Sequence, residues 1–275
     1  MTLCRVLNVN RSSYYKHFYS PVSKRELENQ ALRTKILQLY NASDKRLGVK
    51  KMRQRLKAEY GVNISAGRVY RLMKSMQLPK MSTHRNIRRS KNFSSNKNAE
   101  NMLKRQFNPS APNMVWVSDI TFIRATKGSF YLCVIIDLFA RKVIAWDVSS
   151  TQSTKFVTGL LLKAWNLRKN PKSVIFHSDR GKQYTSKEFR QLIDRIGFRQ
   201  SFSAPGCPYD NAVVEAFFKF LKKEEVNRRR FSQIEEVKLS LFSYIEGYYN
   251  KKRSHEANGG LSPDEKEAEF FTKNQ

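Results

Sequence analysis

The sequence predicts an α/β domain, a mixed sheet flanked by helices, preceded by an all-helical region that contains a helix-turn-helix. The first observation is a change in composition along the chain. Residues 1–78 are rich in helix formers with apolar positions at helical spacing, residues 79–112 are basic with few apolar residues, and from 113 β-branched and aromatic runs alternate with amphipathic segments. We therefore expect a helical region over 1–78, a linker over 79–112, and an α/β core with a C-terminal helical tail over 113–275.

Composition excludes several classes of protein. Hydrophobic residues make up 40% of the 275 residues, enough to build a folded core. The longest apolar run, residues 130–136, is far shorter than the roughly 20 residues of a membrane helix, and the amino terminus is too polar for a secretory signal. Cys4, Cys133 and Cys207 are odd in number and far apart. This pattern argues against a disulfide framework or a cysteine-rich zinc site and suits a reducing compartment.

Positive charge is the second observation. The chain has 52 Lys and Arg against 23 Asp and Glu, a net charge of +29, and residues 1–110 alone carry 25 basic and 5 acidic residues. Such an excess favours a polyanionic partner, most commonly nucleic acid. The alternative is a basic surface that is simply solvated.

The helix-turn-helix is predicted over residues 50–76. A helix over 50–60 is followed by Gly61, and Ser65 is a suitable N-cap for a second helix over 66–76. The second helix turns Val69, Leu72, Met73 and Met76 inward and Arg68, Arg71 and Lys74 outward. A basic helix in this position can enter the major groove of DNA, although an ordinary helical hairpin would show the same pattern.

The order of elements in the second part is the third observation. An antiparallel meander is predicted first, with strands over 115–123, 130–139 and 143–149. Alternating helices and strands follow: a helix over 154–168, a strand over 173–177, a helix over 186–196, a strand over 198–203, and helices over 211–227 and 232–250. This order implies three layers around a mixed sheet.

Three carboxylates occupy unusual positions. Asp119 lies within a strand on its apolar face, Asp179 directly follows an apolar strand, and Glu215 lies one turn into a helix among apolar neighbours. Each has a simpler explanation: a paired strand residue, a turn residue, or an ion pair of Glu215 with Lys219. Together, however, three carboxylates at one point would repel each other unless a cation joined them. Oxygen ligands select Mg²⁺ or Mn²⁺, and two such ions about 3.5–4 Å apart support phosphodiester displacement.

The segments around these acids resemble a known family. Residues 116–121, 177–184 and 209–215 are similar to the three acidic motifs of integrase-type DDE transposases, and 35 residues separate Asp179 from Glu215, as is typical there. Residues 249–255 and 260–263 resemble the tail after the catalytic helix in bacterial insertion-sequence transposases. Residues 47–52 and 69–74 resemble the helix-turn-helix before that core. The resemblance is strongest to the OrfB product of elements that encode OrfA and OrfB in overlapping frames.

This resemblance implies an RNase H-like integrase core and a transposase. The expected reaction is Mg²⁺-dependent cleavage at the ends of the element, with Mn²⁺ as a substitute, followed by strand transfer of the 3′ hydroxyl to another phosphodiester. Asp119, Asp179 and Glu215 would be the catalytic metal ligands of two ions, in the family's two-metal arrangement. Supporting active-site or DNA contacts are expected from His177, Arg180, Gln183, Tyr184, Asn211 and His255 in the core and from Arg68, Arg71 and Lys74 in the helix-turn-helix.

Several partners follow from the same resemblance. They are double-stranded DNA of the element's terminal repeats and of the target, further copies of the chain in an oligomer on that DNA, and an OrfA-type upstream partner or fusion, in the bacterial cytoplasm at the nucleoid. Two other functions remain open on the sequence: a DNA-binding regulator with an inactive core, and an RNase H-type nuclease acting on RNA–DNA hybrids.

Overall fold

The computed structural model describes residues 4, 6, 9–19, 22–78, 101–204 and 208–274. The chain divides into two compact units, Met1–Lys80 and Met81–Gln275. Residues 79–100 of the predicted linker and Cys207 lie outside the described residues. None of the helices described is both long and apolar enough to cross a membrane.

All regular secondary structure in the described part of the first unit is helical. Its helices are α1 (Arg11–Tyr19), α2 (Lys24–Ala42), α3 (Val49–Tyr60) and α4 (Ala66–Ser75). Gly61 ends α3 with a φ of +65°, a left-handed conformation that glycine adopts without strain. Ser65 Oγ accepts a hydrogen bond from the amide of Arg68 and so caps α4. The predicted helix-turn-helix is confirmed.

The helices of the first unit share one apolar core. Ile36 of α2, Met52 and Leu56 of α3 and Val69 of α4 are fully buried. Burial of each such side chain stabilises the unit by about 1.5–3 kcal/mol. Met73 and Met76, predicted to face inward, are only partly buried and pack against the edge of this core.

The second unit contains a five-stranded mixed sheet. Its strands are β1 (Val115–Arg124), β2 (Ser129–Asp137), β3 (Lys142–Ser149), β4 (Ile175–Ser178) and β5 (Arg199–Phe202). The spatial order is β3-β2-β1-β4-β5, antiparallel from β3 to β1 and parallel from β1 to β5. The predicted meander and the predicted mixed sheet are confirmed.

Helices cover both faces of this sheet. They are α5 (Thr154–Leu167), α6 (Lys182–Thr185), α7 (Lys187–Arg195), α8 (Ala212–Glu224), α9 (Ile234–Phe242) and α10 (Pro263–Lys273). Val117 of β1 packs with α8 and α9 on one face, and Trp116 packs with α5 and α7 on the other. The alternation of β1 therefore produces the three predicted layers. The helix predicted over 232–250 is α9 continued by a π-helix, Ser243–Tyr249.

In the described part of the second unit, residues near both ends are bound to its core. At the carboxyl end, Glu267 of α10 pairs with Arg168 and with Lys142, whose Nζ lies 2.7 Å from Glu267 Oε2. At the amino end, Leu103 is buried in the core beside the sheet, and its amide donates to Ser201 Oγ. Packing against the sheet thus begins at least ten residues before 113, within the segment predicted as linker.

Candidate active site

Asp119 and Asp179 lie side by side because of the pairing between β1 and β4. The parallel register ends with Ser118 opposite Ser178, and an aspartate directly follows each of these two serines. β4 stops there, whereas β1 continues, with Asp119 opposite Val134 of β2. Asp119 is buried and shares the face of β1 that packs against α8, as its alternation predicted.

The backbone orients both carboxylates. Asp119 Oδ1 accepts a hydrogen bond from the Ile120 amide at 2.8 Å, and Asp179 Oδ1 accepts one from the Gly181 amide at 3.0 Å. A Cβ on Gly181 would lie 3.0 Å from Asp179 Oδ1 and 3.1 Å from the side-chain oxygen of Gln183. Glycine therefore allows the turn after β4 to close tightly around the Asp179 carboxylate.

Glu215 approaches from the first turn of α8. The helix starts next to β1, because Asn211 Nδ2 donates to the backbone carbonyl of Ser118 at 3.3 Å. Glu215 is exposed, whereas its apolar sequence neighbours had suggested a less accessible position. Over the described part of the chain, no three His, Cys, Asp or Glu side chains are close enough together to hold a metal ion. The structure thus places the two aspartates together and leaves Glu215 at the surface of the adjacent helix.

Asp210 has a role that sequence reasoning missed. It lies directly before Asn211, the N-cap residue of α8, whose side chain makes no capping hydrogen bond. Asp210 accepts hydrogen bonds from Arg105 Nε at 2.8 Å, Asn101 Nδ2 at 2.9 Å and the Ala204 amide at 3.0 Å. Burial raises its pKa, but Arg105 and the Ala204 amide outweigh this and lower the pKa below its usual value. Asp210 itself could be recognised in the sequence as an acid of the third motif. Its partners Arg105 and Asn101, 105 and 109 residues away, could not.

His177 is a buried structural residue. Its ring nitrogens lie 2.9 Å from Ser201 Oγ and 3.1 Å from Ser203 Oγ. Burial lowers its pKa to about 4, although Asp210 acts in the opposite direction, so the ring is neutral near pH 7. The side chain is fully buried, which favours support of the active site over a direct DNA contact among its two expected roles. Arg180 is also buried and donates from Nε to the Ser203 carbonyl.

The other candidates of the core are spread over two regions. Tyr184 is buried, and its hydroxyl lies 2.7 Å from Ser118 Oγ, so it contacts the strand that carries Asp119. Gln183 donates to the carbonyl of Gln152. His255 lies edge-on to Tyr249, with ring centroids 4.9 Å apart. It lines a cleft of about 190 Å³ along α8 whose other lining residues are Arg141, Ala212, Val213, Ala216, Phe217, Phe220, Tyr249 and Ala257.

In the helix-turn-helix, Arg71 and Lys74 are exposed as predicted. Arg68 differs: it is half-buried and binds Glu28 Oε2 and Asn29 Oδ1 of α2, each at 2.9 Å from Nη2. These contacts border a cleft of about 310 Å³ in the first unit. Its lining residues are Arg25, Asn29, Arg33, Arg68, Arg71, Leu72 and Ser75. Four guanidinium groups around one cleft create a strongly positive surface.

Family models match both units of the chain. Two models described as integrase core domain match residues 109–208 and 196–263, and one described as HTH-like domain matches residues 26–86. The fold and these matches define a DDE-type polynucleotidyl transferase with an RNase H-like core and a helix-turn-helix.

Comparison with curated proteins identifies the family within that class. The chain is 35% identical over 266 residues to "Transposase InsF for insertion sequence IS3A" of Escherichia coli (strain K12), covering 96% of this chain and 92% of the relative. It is 33% identical over 241 residues to "Transposase for insertion sequence element IS904" of Lactococcus lactis subsp. lactis (strain IL1403), covering 88% and 95%. The chain belongs to the IS3 family of insertion-sequence transposases, and its function is DNA transposition. Divalent-metal-dependent cleavage and strand transfer are general for this family.

Solved structures with a similar fold include a simian T-cell lymphotropic virus intasome, in complex with a PP2A regulatory subunit. Its TM-score is 0.47 at 14% identity, with 84% of this chain and 74% of that chain covered. The catalytic core domain of BIV integrase gives a TM-score of 0.43 at 23% identity, with 59% and 99% covered.

Proposed function

We propose that Asp119, Asp179 and Glu215 are the catalytic residues and hold two Mg²⁺ ions, for which Mn²⁺ can substitute. With them the chain cleaves the ends of its own insertion element and joins the 3′ hydroxyls to target DNA. The observation that carries this assignment is the β1–β4 register, which brings two aspartates from segments 60 residues apart to adjacent positions.

The residues present fit a hard divalent cation. All three donors are carboxylates, the ligands that Mg²⁺ and Mn²⁺ prefer. The backbone amides of Ile120 and Gly181 fix the orientation of the two aspartates. Glu215 is exposed in the first turn of α8, and Asn211 anchors the start of this helix to the Ser118 carbonyl, next to Asp119.

When bound, the cations activate the attacking hydroxyl and stabilise the leaving oxygen of the phosphodiester. The protein's own residues orient the site and the DNA. His177, which is neutral, and Arg180 support the ends of β4 and β5 from inside the fold. Tyr184, Gln183 and Asn211 support the segments that carry Asp119 and Asp179. Arg68, Arg71 and Lys74 supply positive charge for the DNA backbone, and His255 lines a separate cleft on α8.

The partners in this proposal are double-stranded DNA of the terminal repeats and of the target. Joining two ends of one element requires both to be held together, so we infer an oligomer of this chain on DNA. We further infer an OrfA-type upstream partner or fusion that adds DNA-binding and dimerisation elements.

The test is a cleavage and strand-transfer assay with Mg²⁺ or Mn²⁺ and DNA carrying the ends of the element that flanks this gene. The chain is assayed alone and fused to the upstream frame, each beside Glu215→Gln. Glu188→Gln is the matched control, because Glu188 is likewise an exposed glutamate in the first turn of a helix. Joined products that are lost in Glu215→Gln and kept in Glu188→Gln are expected.

Three results would contradict the proposal. Near wild-type cleavage by Glu215→Gln would show that Glu215 is not a metal ligand. End-specific binding without products from either form would favour the regulator. Preferred cleavage of an RNA–DNA hybrid over the element's duplex ends would favour the nuclease.

A further inference from the structure

Ser118, directly before Asp119, lies at the centre of a buried hydrogen-bond network. The residue is fully buried. Its hydroxyl donates to the carbonyl of Val134 at 2.8 Å, and the hydroxyl of Tyr184 lies 2.7 Å from the same oxygen. A serine hydroxyl has only one hydrogen to donate. Because Val134 receives it, Tyr184 is the donor of the second bond.

The backbone of Ser118 takes part in the same network. Its carbonyl accepts the hydrogen bond from Asn211 Nδ2, a side chain that is also buried. No described residue donates a hydrogen bond to the other side-chain atom, Asn211 Oδ1. The hydrogen bond from the Asn211 side chain to the Ser118 carbonyl therefore orients the start of α8.

Two partners of Ser118, Tyr184 and Asn211, lie a few residues from Asp179 and Glu215, and the third, Val134, belongs to the strand that pairs with β1. Val134 lies opposite Asp119 in the β1–β2 ladder. Tyr184 follows Asp179 by five residues, and Asn211 precedes Glu215 by four. One small side chain and its carbonyl thus connect β1, the turn after β4 and the start of α8.

We propose that Ser118 is a positioning residue that fixes the relative placement of the three acidic residues, with Tyr184 and Asn211 as its partners. The proposal rests on the proposed function, since it assigns Ser118 a role through Asp119, Asp179 and Glu215. Nothing in the resemblance to the family assigns a role to this serine.

The burial of the network makes its bonds difficult to replace. No bulk water reaches these atoms, so loss of the Ser118 hydroxyl leaves buried polar groups without their partner. Cys133 Sγ lies 3.8 Å from both hydroxyl oxygens, but sulfur is a weak acceptor. Burial raises the pKa of Tyr184 well above its usual value, so its hydroxyl keeps the proton that it donates.

The test combines Ser118→Ala with Tyr184→Phe, which keeps the volume of the ring and removes only the donor. Mn²⁺ binding is measured by electron paramagnetic resonance on the full chain without DNA, so that the readout does not depend on turnover. Loss of a residue that hydrogen-bonds directly to a metal ligand weakens metal binding about 10–100-fold. Ser118 and Tyr184 bond to the segments that carry the acids and not to the carboxylates themselves. Each variant is therefore expected to weaken Mn²⁺ binding by about 10-fold, the lower end of this range, and to raise the Mn²⁺ concentration for half-maximal cleavage by a similar factor.

Two further variants make the result specific. If Ser118 and Tyr184 act through one bond, the double variant should bind Mn²⁺ about as weakly as either single variant. Ser240→Ala is the matched control. Ser240 is a buried serine of α9 whose hydroxyl donates to Glu225 at 2.7 Å, so its loss affects stability but not Mn²⁺ binding.

Wild-type Mn²⁺ binding by folded Ser118→Ala or by Tyr184→Phe would overturn the proposal, as would an equal loss in Ser240→Ala. If Ser118→Ala does not fold, Tyr184→Phe decides the question. Asp119→Asn and Asp179→Asn separate this proposal from the proposed function. If they abolish Mn²⁺ binding while the Ser118 and Tyr184 variants do not, only the positioning role fails. If they bind Mn²⁺ like the wild type, the metal site itself has been misassigned.

Discussion

Glu224 and Arg253 form an almost completely buried ion pair at the carboxyl end of α8. Arg253 Nη2 lies 2.9 Å from Glu224 Oε1 and Nε lies 3.0 Å from Oε2, and the side chains are 3% and 2% exposed. The Tyr244 hydroxyl donates to the same carboxylate at 2.8 Å. The guanidinium also lies over the ring of Phe220, 4.0 Å from its centroid. This pair connects the helix that carries Glu215 to the segment that follows the π-helix.

We predict that Glu224→Gln strongly destabilises the protein. The substitution leaves Arg253 charged and buried, which typically costs about 3–5 kcal/mol. For a unit of this size, the melting temperature should fall by roughly 6–20 °C. Calorimetry measures this, with Glu269→Gln as control because the Glu269–Lys273 pair is on the surface. Equal melting temperatures for Glu224→Gln and the control would contradict the prediction.

The contribution of Glu267 should depend on pH. Burial raises its pKa, but hydrogen bonds and charge from Arg168 and Lys142 outweigh this, so the pKa of folded Glu267 lies below its usual value of 4.5. Its ionised form therefore stabilises the fold above pH 4.5, and this contribution is lost as the pH falls through the lower folded value. Urea unfolding of wild type and Glu267→Gln should show a difference near pH 7 that narrows below pH 4.5. A difference that grows on acidification would contradict this sign.

Gly181→Ala tests the tight turn around Asp179. The added methyl would press on Asp179 Oδ1 and Gln183 Oε1 at about 3 Å, so either the carboxylate or the turn must move. On the proposed function, we expect cleavage to fall by about 10–100-fold, while DNA binding stays intact. Gly159→Ala is the control, because a Cβ at this position in α5 meets no atom within 4 Å and alanine is the better helix former. Unchanged cleavage by Gly181→Ala would show that Asp179 tolerates displacement.

The basic face of α4 should determine part of the salt dependence of DNA binding. Each phosphate contact contributes about −0.9 to the slope of log K against log salt. We expect Arg71→Gln and Lys74→Gln each to reduce the slope by about 1, as measured by binding titrations between 50 and 200 mM salt. Arg55→Gln, on α3 and paired with Glu59, should leave the slope unchanged. Unchanged slopes for Arg71→Gln and Lys74→Gln would place the DNA footprint outside α4.

Much of the fold could be predicted from local patterns. Alternation of apolar residues predicted the strands, and Gly61 and Ser65 predicted the boundaries of α3 and α4. These features depend on the period and the capping chemistry of residues close in sequence, so the sequence contains the information directly. The three acidic motifs could also be recognised from the sequence, because each motif spans only a few consecutive residues.

Other features depend on partners far apart in the chain. Arg68 was predicted to face outward, but Glu28 and Asn29, about 40 residues earlier, bind it from α2. Asp210 lies in a recognisable motif, but Asn101 and Arg105 bind it from the end of the predicted linker. No local pattern encodes such contacts, because each partner is an ordinary polar residue in its own segment.

By itself, the sequence determined the two-part organisation, the mixed sheet and the identity of three acids worth testing. The tertiary structure decided where these acids lie: Asp119 and Asp179 are adjacent, Glu215 is exposed on the neighbouring helix, and Ser118, beside Asp119, hydrogen-bonds to Tyr184 and Asn211 near the other two acids. It also showed that His177 is buried. The physical reason is that periodicity and capping act within a few residues. Strand register and buried hydrogen bonds, in contrast, form only when segments about 60 to 100 residues apart pack together.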